Sequence, residues 1–297
     1  MKVRVITRVV LAVVVLISAV GLVLTASLPP TFAQQPVTGV QSKAFSSESG
    51  FMSSSGYLRR VVADLAPTGK LRVALQLANP LNAVQDSASG AMKGVGFDLG
   101  NELARRLGVP FEAVLYPSVG VLLDNGRSGA WDVAFVGLSP ARAAEWDFTG
   151  LHLEVKFGYL IPAGSAISTM ADVDRPGIRI AVQENSGPDV FFSRTLRNTV
   201  VVRAPSNPGA LEALKSGRAD VMGSIKPVLF ELSSQLPGSR VLDGRPGIDP
   251  HAMALPKGRN LGVAYARRFI EDAKARGLVK AAIERAGVRG VVVAAPQ

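Results

Sequence analysis

Short apolar segments alternate with amphipathic segments over residues 58–288. Residues 70–77 alternate apolar and polar positions as a strand does, and residues 94–108 place apolar side chains on one helical face before a glycine. Further apolar runs of strand length occupy residues 111–116, 131–136, 157–161, 177–182 and 200–203. This alternation predicts an α/β fold with open, mostly parallel sheets, flanked by helices, that bind ligands at the carboxyl ends of their strands. No internal sequence repeat is visible.

Residues 1–33 have the pattern of a secretory signal. A basic start over residues 2–8 is followed by an apolar run over residues 9–24 and by small residues that end at Ala33. We expect cleavage after Ala33. An uncleaved membrane anchor is the alternative, because the apolar run is long for a signal core and short for a spanning helix. Residues 34–57 lack periodicity and predict a flexible leader.

Composition narrows the classes of function. The chain has 297 residues and a formal net charge of +10, which removal of the three basic residues of the predicted signal lowers to +7. The basic side chains are scattered and carry no aromatic-rich motif, so we expect no nucleic-acid binding. The chain has no cysteine, which excludes disulfides, thiolate chemistry and an acylated cysteine. His152 and His251 lack matched carboxylate spacing, and we expect neither a metal nor a cofactor.

One segment places a positively charged side chain in the first turn of a predicted helix. The apolar run 131–136 ends just before Gly137, and Ser139 followed by a proline predicts the first turn of a helix that holds Arg142. A cation near the positive end of a helix dipole is unfavourable unless an anion binds nearby. Two interpretations stay open. Arg142 binds an anionic ligand, or it is a surface residue paired with Glu145.

This segment, with Asp147-Phe148-Thr149 after it, resembles the binding segment of the periplasmic solute-binding proteins of polar amino-acid ABC importers, which form family 3 of the bacterial extracellular solute-binding proteins. Residues 94–108, 177–182 and 217–224 resemble other segments of that family in the same order. The resemblance implies a type II periplasmic-binding-protein fold, with two lobes joined by a hinge of two crossings. We expect lobe 1 at residues 58–155 and 251–290, lobe 2 at residues 156–250, and a tail at residues 291–297.

The resemblance also implies a ligand site between the lobes. In that family an arginine at the position of Arg142 clamps the carboxylate of the ligand, and a turn at the position of Ser186 contacts it from the second lobe. The family commonly carries an aspartate for the ligand ammonium where this chain has Ser224, and Glu184 or Asp189 are the candidate replacements. The ligand-binding residues that we predict are Asn79, Gly137, Ser139, Arg142, Asn185, Ser186 and Ser224.

The implied function is the capture of a small carboxylate, an amino acid or a related compound, by closure of the two lobes for ABC import. The expected partner is a membrane permease, and the expected protein is a periplasmic monomer without catalytic activity. Two alternatives stay open. One is a dehydratase-like periplasmic enzyme on the same fold, with Glu184 as its acid or base. The other is a receptor subunit that senses the ligand.

Overall fold

The computed structural model describes residues 54–86 and 89–297. The predicted signal and most of the predicted leader lie outside the described residues. Helix α1 (Ser54–Leu65) begins inside the segment expected to be leader, and its Val61 and Leu65 are fully buried. The folded chain therefore starts earlier than the sequence pattern indicates. Across the described ranges, no helix is both long enough and apolar enough to cross a membrane.

Strands and helices alternate along the described chain. The strands are β1 (Leu71–Gln76), β2 (Val84–Gln85), β3 (Met92–Lys93), β4 (Phe111–Tyr116), β5 (Val133–Gly137), β6 (Trp146–Ile161), β7 (Arg179–Gln183), β8 (Val200–Ala204), β9 (Val221–Ile225), β10 (Arg240–Val241), β11 (Ile248–Pro256) and β12 (Val291–Val293). The helices after α1 are α2 (Val95–Leu107), α3 (Val119–Arg127), α4 (Pro140–Glu145), α5 (Gly187–Thr195), α6 (Asn207–Lys215), α7 (Lys226–Ser233), α8 (Asn260–Ala275) and α9 (Leu278–Arg285).

Strand β6 joins two lobes. Its first part, from Trp146 to Lys156, pairs antiparallel with β11, and from Phe157 onward it pairs antiparallel with β9. In lobe 1, β1 lies between β4 and β5 and is parallel to both, and in lobe 2 β7 lies in the same way between β8 and β9. The strand order is β4-β1-β5-β11-β6-β9-β7-β8. Each lobe is thus an open, mostly parallel sheet, as the sequence predicts.

The C-terminal segment is part of the sheet. Residues 291–297, which we expected to be a tail, contain β12, and its Val291, Val292 and Val293 pair antiparallel with β6. Three consecutive β-branched residues favour a strand wherever a neighbour offers free backbone groups. The first three residues of the predicted tail are therefore an edge of the sheet.

Helix α2 lies close against the sheet because two of its residues are glycines. A Cβ on Gly100 would lie 2.9 Å from Cγ1 of Val73, and a Cβ on Gly96 would lie 3.1 Å from Phe135. The close packing on Val73 leaves no room for a polar side chain at position 100, since a carboxylate there would meet the apolar face of the sheet.

The two lobes repeat one arrangement. Strand β1 carries Leu71-Arg-Val-Ala-Leu-Gln76, and the segment that includes β7 carries Ile178-Arg-Ile-Ala-Val-Gln183. In lobe 1 the backbone N, Nε and Nη2 of Arg72 donate to the Asp132 carboxylate at 3.0, 3.0 and 2.8 Å. In lobe 2 the same three donors of Arg179 lie 2.9, 3.0 and 2.8 Å from the Asp220 carboxylate. The lobes therefore share a short sequence pattern that we did not recognise, in addition to the similar order of strands and helices that the predicted fold implies.

The repeat continues past the ends of these strands. Ala78 and Asn185 follow Gln76 and Gln183 by two residues, and they are the non-glycine residues of the described chain with a positive φ, 54° and 58°. A left-handed conformation costs a residue with a Cβ about 1 kcal/mol. Both lobes therefore hold the loop after their first strand in the same strained turn, beside the cleft.

Candidate functional site

A cavity of about 40 Å³ lies between the lobes, where the parallel strands of both sheets end. Gln76 and Gly137 reach it from lobe 1, Gln183 and Ser224 reach it from lobe 2, and Asp249 reaches it from β11. A volume of this size holds a few water molecules. A larger ligand therefore requires the lobes to part before it enters.

Hydrogen bonds across the cleft hold the lobes together. Nε2 of Gln76 donates to Oε1 of Gln183 over 2.9 Å, and both side chains are buried. Nη2 of Arg142, from α4 of lobe 1, donates to the backbone oxygen of Asn185 in lobe 2 over 2.9 Å. The structure is thus a closed arrangement of the two lobes.

Arg142 projects from the first turn of α4 into this closed cleft. Ser139 caps that helix by accepting from the backbone N of Arg142 over 3.3 Å, and Pro140 occupies the first position, as predicted. Nη1 of Arg142 also donates to the backbone oxygen of Gly137 over 2.8 Å. Burial lowers the pKa of Arg142, and the negative charge of Asp249 opposes that shift.

The alternative interpretation of Arg142 as a surface partner of Glu145 is wrong. Glu145 instead accepts from Nε and Nη2 of Arg127, at 2.9 and 2.8 Å. The guanidinium of Arg142 points the other way, toward two backbone oxygens and the cavity. Those contacts use two of its five N–H donors, which leaves donors for an anion.

The structure brings most of the predicted site residues to the cavity. Its lining includes Asn79, Gly137, Arg142, Ser186 and Ser224. Ser139 and Asn185 lie instead along a second, larger pocket of about 400 Å³. Arg142, Gly187 and Asp249 line both spaces and so form the wall between them.

The polar side chains of the site also support the local backbone. Ser186 caps α5 by accepting from the backbone N of Asp189 over 3.1 Å, and its hydroxyl donates to the backbone oxygen of Gln183 over 2.6 Å. Oδ1 of Asn79 accepts from the backbone N of Leu81 over 3.1 Å. Such bonds fix the direction of each side chain before a ligand arrives.

Neither of the two candidates to replace the missing aspartate reaches the cavity. Glu184 is exposed and is not part of the lining. Asp189 is buried, and its two carboxylate oxygens accept from Nε of Arg203 at 3.0 and 3.1 Å. Neither candidate therefore supplies a carboxylate to the cavity lining.

Among the described residues, Asp249 is the carboxylate that lines the cavity. The sequence patterns did not predict it. A Cβ added to Gly137 would lie 2.6 Å from its Oδ1, and a Cβ added to Gly187 would lie 2.7 Å from its Oδ2. The carboxylate is thus seated between a glycine of each lobe. The only local signal was its place beside a predicted hinge crossing.

The two histidines pack beside this carboxylate. Nε2 of His251 lies 3.0 Å from Oδ2 of Asp249, and the His251 ring lies edge to face against His152 with centroids 6.4 Å apart. Burial, together with the nearby His251 and Lys274, lowers the pKa of His152 to about 3. His152 is therefore a neutral core side chain at the hinge, and the described residues form no cluster of metal-ligating side chains.

Comparison with known proteins identifies the family to which this chain belongs. Residues 71–285 match the model of the bacterial extracellular solute-binding proteins, family 3. The chain belongs to this family. The match confirms the family that the binding segment and its neighbours resemble, and it places the protein outside the cytoplasm.

Curated relatives of this family 3 protein are distant. It is 22% identical over 205 residues, 67% of this chain and 74% of the relative, to the ABC transporter glutamine-binding protein GlnH of Bacillus subtilis. It is 21% identical over 194 residues, 64% of this chain and 73% of the relative, to the glutamine-binding protein of Geobacillus stearothermophilus.

Solved structures confirm the fold. The solute receptor for L-cysteine of Neisseria gonorrhoeae is similar with a TM-score of 0.67 and 25% identity, covering 76% of this chain and 92% of that one. An ancestral amino-acid-binding protein described as a precursor of cyclohexadienyl dehydratase is similar with a TM-score of 0.65 and 23% identity, covering 75% of this chain and 98% of that one. The predicted type II periplasmic-binding-protein fold is therefore correct.

Proposed function

We propose that this protein captures a small carboxylate-bearing solute, an amino acid or a close relative, between its lobes and delivers it to the permease of an ABC transporter. Membership of the solute-binding family and the amino-acid binding of several relatives and neighbours support the proposal. We also propose a periplasmic location after removal of the signal, and action as a monomer.

The single observation that carries the ligand class is Arg142. Its guanidinium keeps unused donors at a cavity that both lobes line. A planar guanidinium binds a carboxylate through two parallel hydrogen bonds, and that pairing is stronger away from bulk water. A ligand carboxylate at Arg142 lies beside the contact between Arg142 and Asn185, so the ligand reinforces the closed arrangement.

The test is a thermal-shift screen followed by titration calorimetry, with the purified full chain and the twenty standard L-amino acids. Binding to the native state raises the melting temperature by mass action. Arg142→Ala should lower the affinity for the best amino acid by roughly tenfold or more, since hydrogen bonds to charged groups are worth about 1.5–3 kcal/mol.

Arg127→Ala is the matched control, because Arg127 is an exposed arginine that pairs with Asp124 and Glu145 outside the cavity. It should leave the affinity unchanged. If no amino acid binds, or if Arg142→Ala binds as tightly as the original chain, the proposal is wrong.

The enzyme alternative keeps one supporting observation, the similarity to the ancestral precursor of a dehydratase. Its proposed acid or base, Glu184, is exposed and does not line the cavity. Mass spectrometry of a bound solute before and after incubation separates the two functions, because a binding protein returns the solute unchanged.

A further inference from the structure

The cavity contains two opposite charges that do not neutralise each other. Arg142 and Asp249 both line it, yet within the described residues they form no ion pair with each other. Asp249 nevertheless acts on Arg142 through space, since its charge raises the pKa that burial lowers. One positive and one negative group thus face the same enclosed space from separate positions.

The Asp249 carboxylate is only partly satisfied. Its Oδ2 contacts Nε2 of His251 at 3.0 Å, whereas Oδ1 accepts no hydrogen bond from any residue in the described chain. Asp249 is 7% exposed. Oδ1 is therefore free to accept a hydrogen bond from a group bound in the cavity.

The surroundings of that oxygen are shaped for a small group. Gly137 and Gly187 flank the carboxylate, and a Cβ at either position would lie within 2.7 Å of one of its oxygens. These glycines keep the carboxylate of a hinge residue within reach of both lobes. A cationic group at Oδ1 would therefore be seated only when the lobes close.

We propose that Asp249 is the specificity residue that pairs with the ammonium group of the ligand, in place of the aspartate that Ser224 lacks, so that the site selects zwitterionic α-amino acids over plain carboxylates. The carboxylate of such a ligand lies at Arg142 and its ammonium at Oδ1 of Asp249. This inference rests on the proposed function, because it assigns a second contact to the same ligand.

Pairing of the ligand ammonium with Asp249 explains how the charges of the cavity distinguish between ligands. A ligand with only a carboxylate brings a second negative charge next to Asp249, which opposes the attraction of Arg142. A zwitterion leaves both charges of the cavity paired. Discrimination then comes from repulsion of the wrong ligand as well as from attraction of the right one.

The test compares matched ligands on the wild-type chain and on Asp249→Asn. Each of the twenty L-amino acids is paired with the acid that lacks its amino group, such as L-alanine with propanoate and L-glutamine with 4-carbamoylbutanoate, and affinities are measured by calorimetry. Asp249→Asn should weaken the best amino acid by roughly thirtyfold or more, because it removes the charge of one partner in a buried pair. It should leave its amine-free partner unchanged or bound more tightly.

Asp172→Asn is the matched control, since Asp172 is also a buried carboxylate of lobe 2 but accepts from Ser168 and Thr169 outside the cavity. It should lower the melting temperature and leave the ratio of the two affinities unchanged.

The outcomes separate this inference from the proposed function. Wild-type binding of an amino acid with an unchanged ratio in Asp249→Asn overturns the inference alone, as does an equal loss of both ligands. Wild-type protein that binds the amine-free acid as tightly as the amino acid also overturns it, and that measurement does not depend on the folding of any variant. Wild-type protein that binds no amino acid overturns the proposed function and the inference with it.

Discussion

Gln76 and Gln183 end equivalent strands of the two lobes and are joined across the cleft by a hydrogen bond of 2.9 Å. Each lobe thus contributes the same residue, from the same place in its repeat, to one interlobe contact. Because the contact spans the cleft, it stabilises the closed arrangement of the ligand-free protein.

Gln183→Ala should shift the ligand-free protein toward an open arrangement. One net hydrogen bond is worth about 1 kcal/mol, so the ratio of closed to open molecules should fall roughly fivefold. Small-angle X-ray scattering should record a larger radius of gyration. Gln235→Ala, at an exposed position of the same lobe, should leave the curve unchanged. Identical scattering from both variants would show that this contact does not set the hinge equilibrium.

Asp132→Asn should destabilise the protein more than Asp220→Asn does. Asp132 is fully buried and binds both Arg72 and Arg259, whereas Asp220 binds Arg179 and its side chain is 34% exposed. Breaking a buried ion pair costs about 3–5 kcal/mol, because a charge is left without its partner. Urea unfolding at neutral pH measures both losses. Equal losses would contradict the role assigned to burial.

His152→Phe should make the free energy of unfolding less dependent on pH below pH 6.5. Burial lowers the pKa of His152 from 6.5 to about 3, so below pH 6.5 the unfolded chain binds a proton that the folded protein does not bind. Stability is therefore complete above that pH and falls by about 1.4 kcal/mol for each unit toward pH 3.

Urea unfolding of both proteins at several values between pH 5 and pH 7.5 provides the measurement. The phenylalanine ring keeps the edge contact with Phe135, whose centroid lies 5.4 Å from that of His152. The difference in free energy of unfolding between the two proteins should change with pH. A constant difference would show that His152 does not titrate on unfolding.

Gly126→Ala should destabilise the protein, although alanine normally favours a helix. A Cβ at Gly126 would lie 2.6 Å from Cη2 of Trp146, in a helix that packs on both tryptophans of the chain. Overpacking of this kind costs about 1–3 kcal/mol. Thermal unfolding followed by tryptophan fluorescence reports it directly.

Gly120→Ala is the control within the same helix. Its added Cβ would lie 3.7 Å from Asn185, which is an ordinary contact. This variant should be neutral or slightly more stable because alanine has the higher helix propensity. Equal loss in the two glycine variants would point to backbone flexibility rather than to the tryptophans.

Much of the fold was predictable because it depends on local patterns. The apolar runs of β1, β5 and β7 identify buried strands, and the capping serines Ser139 and Ser186 identify the helices that follow two of them. The same logic failed at residues 291–297. A short valine run becomes a strand only when a partner such as β6 is present, and no local pattern specifies that partner.

The sequence by itself determined the order of strands and helices and the places where the parallel strands end. Those strand ends also placed Arg142 and Ser186 at the cleft. Local patterns suffice for this because hydrophobic periodicity and capping act over a few residues. Only the tertiary structure decided which charges share the cavity. Asp249 lies 107 positions beyond Arg142 in the sequence. Gln76 and Gln183 form their hydrogen bond across the cleft in the closed arrangement. Contacts between distant segments depend on the direction of each side chain after folding, which periodicity does not encode.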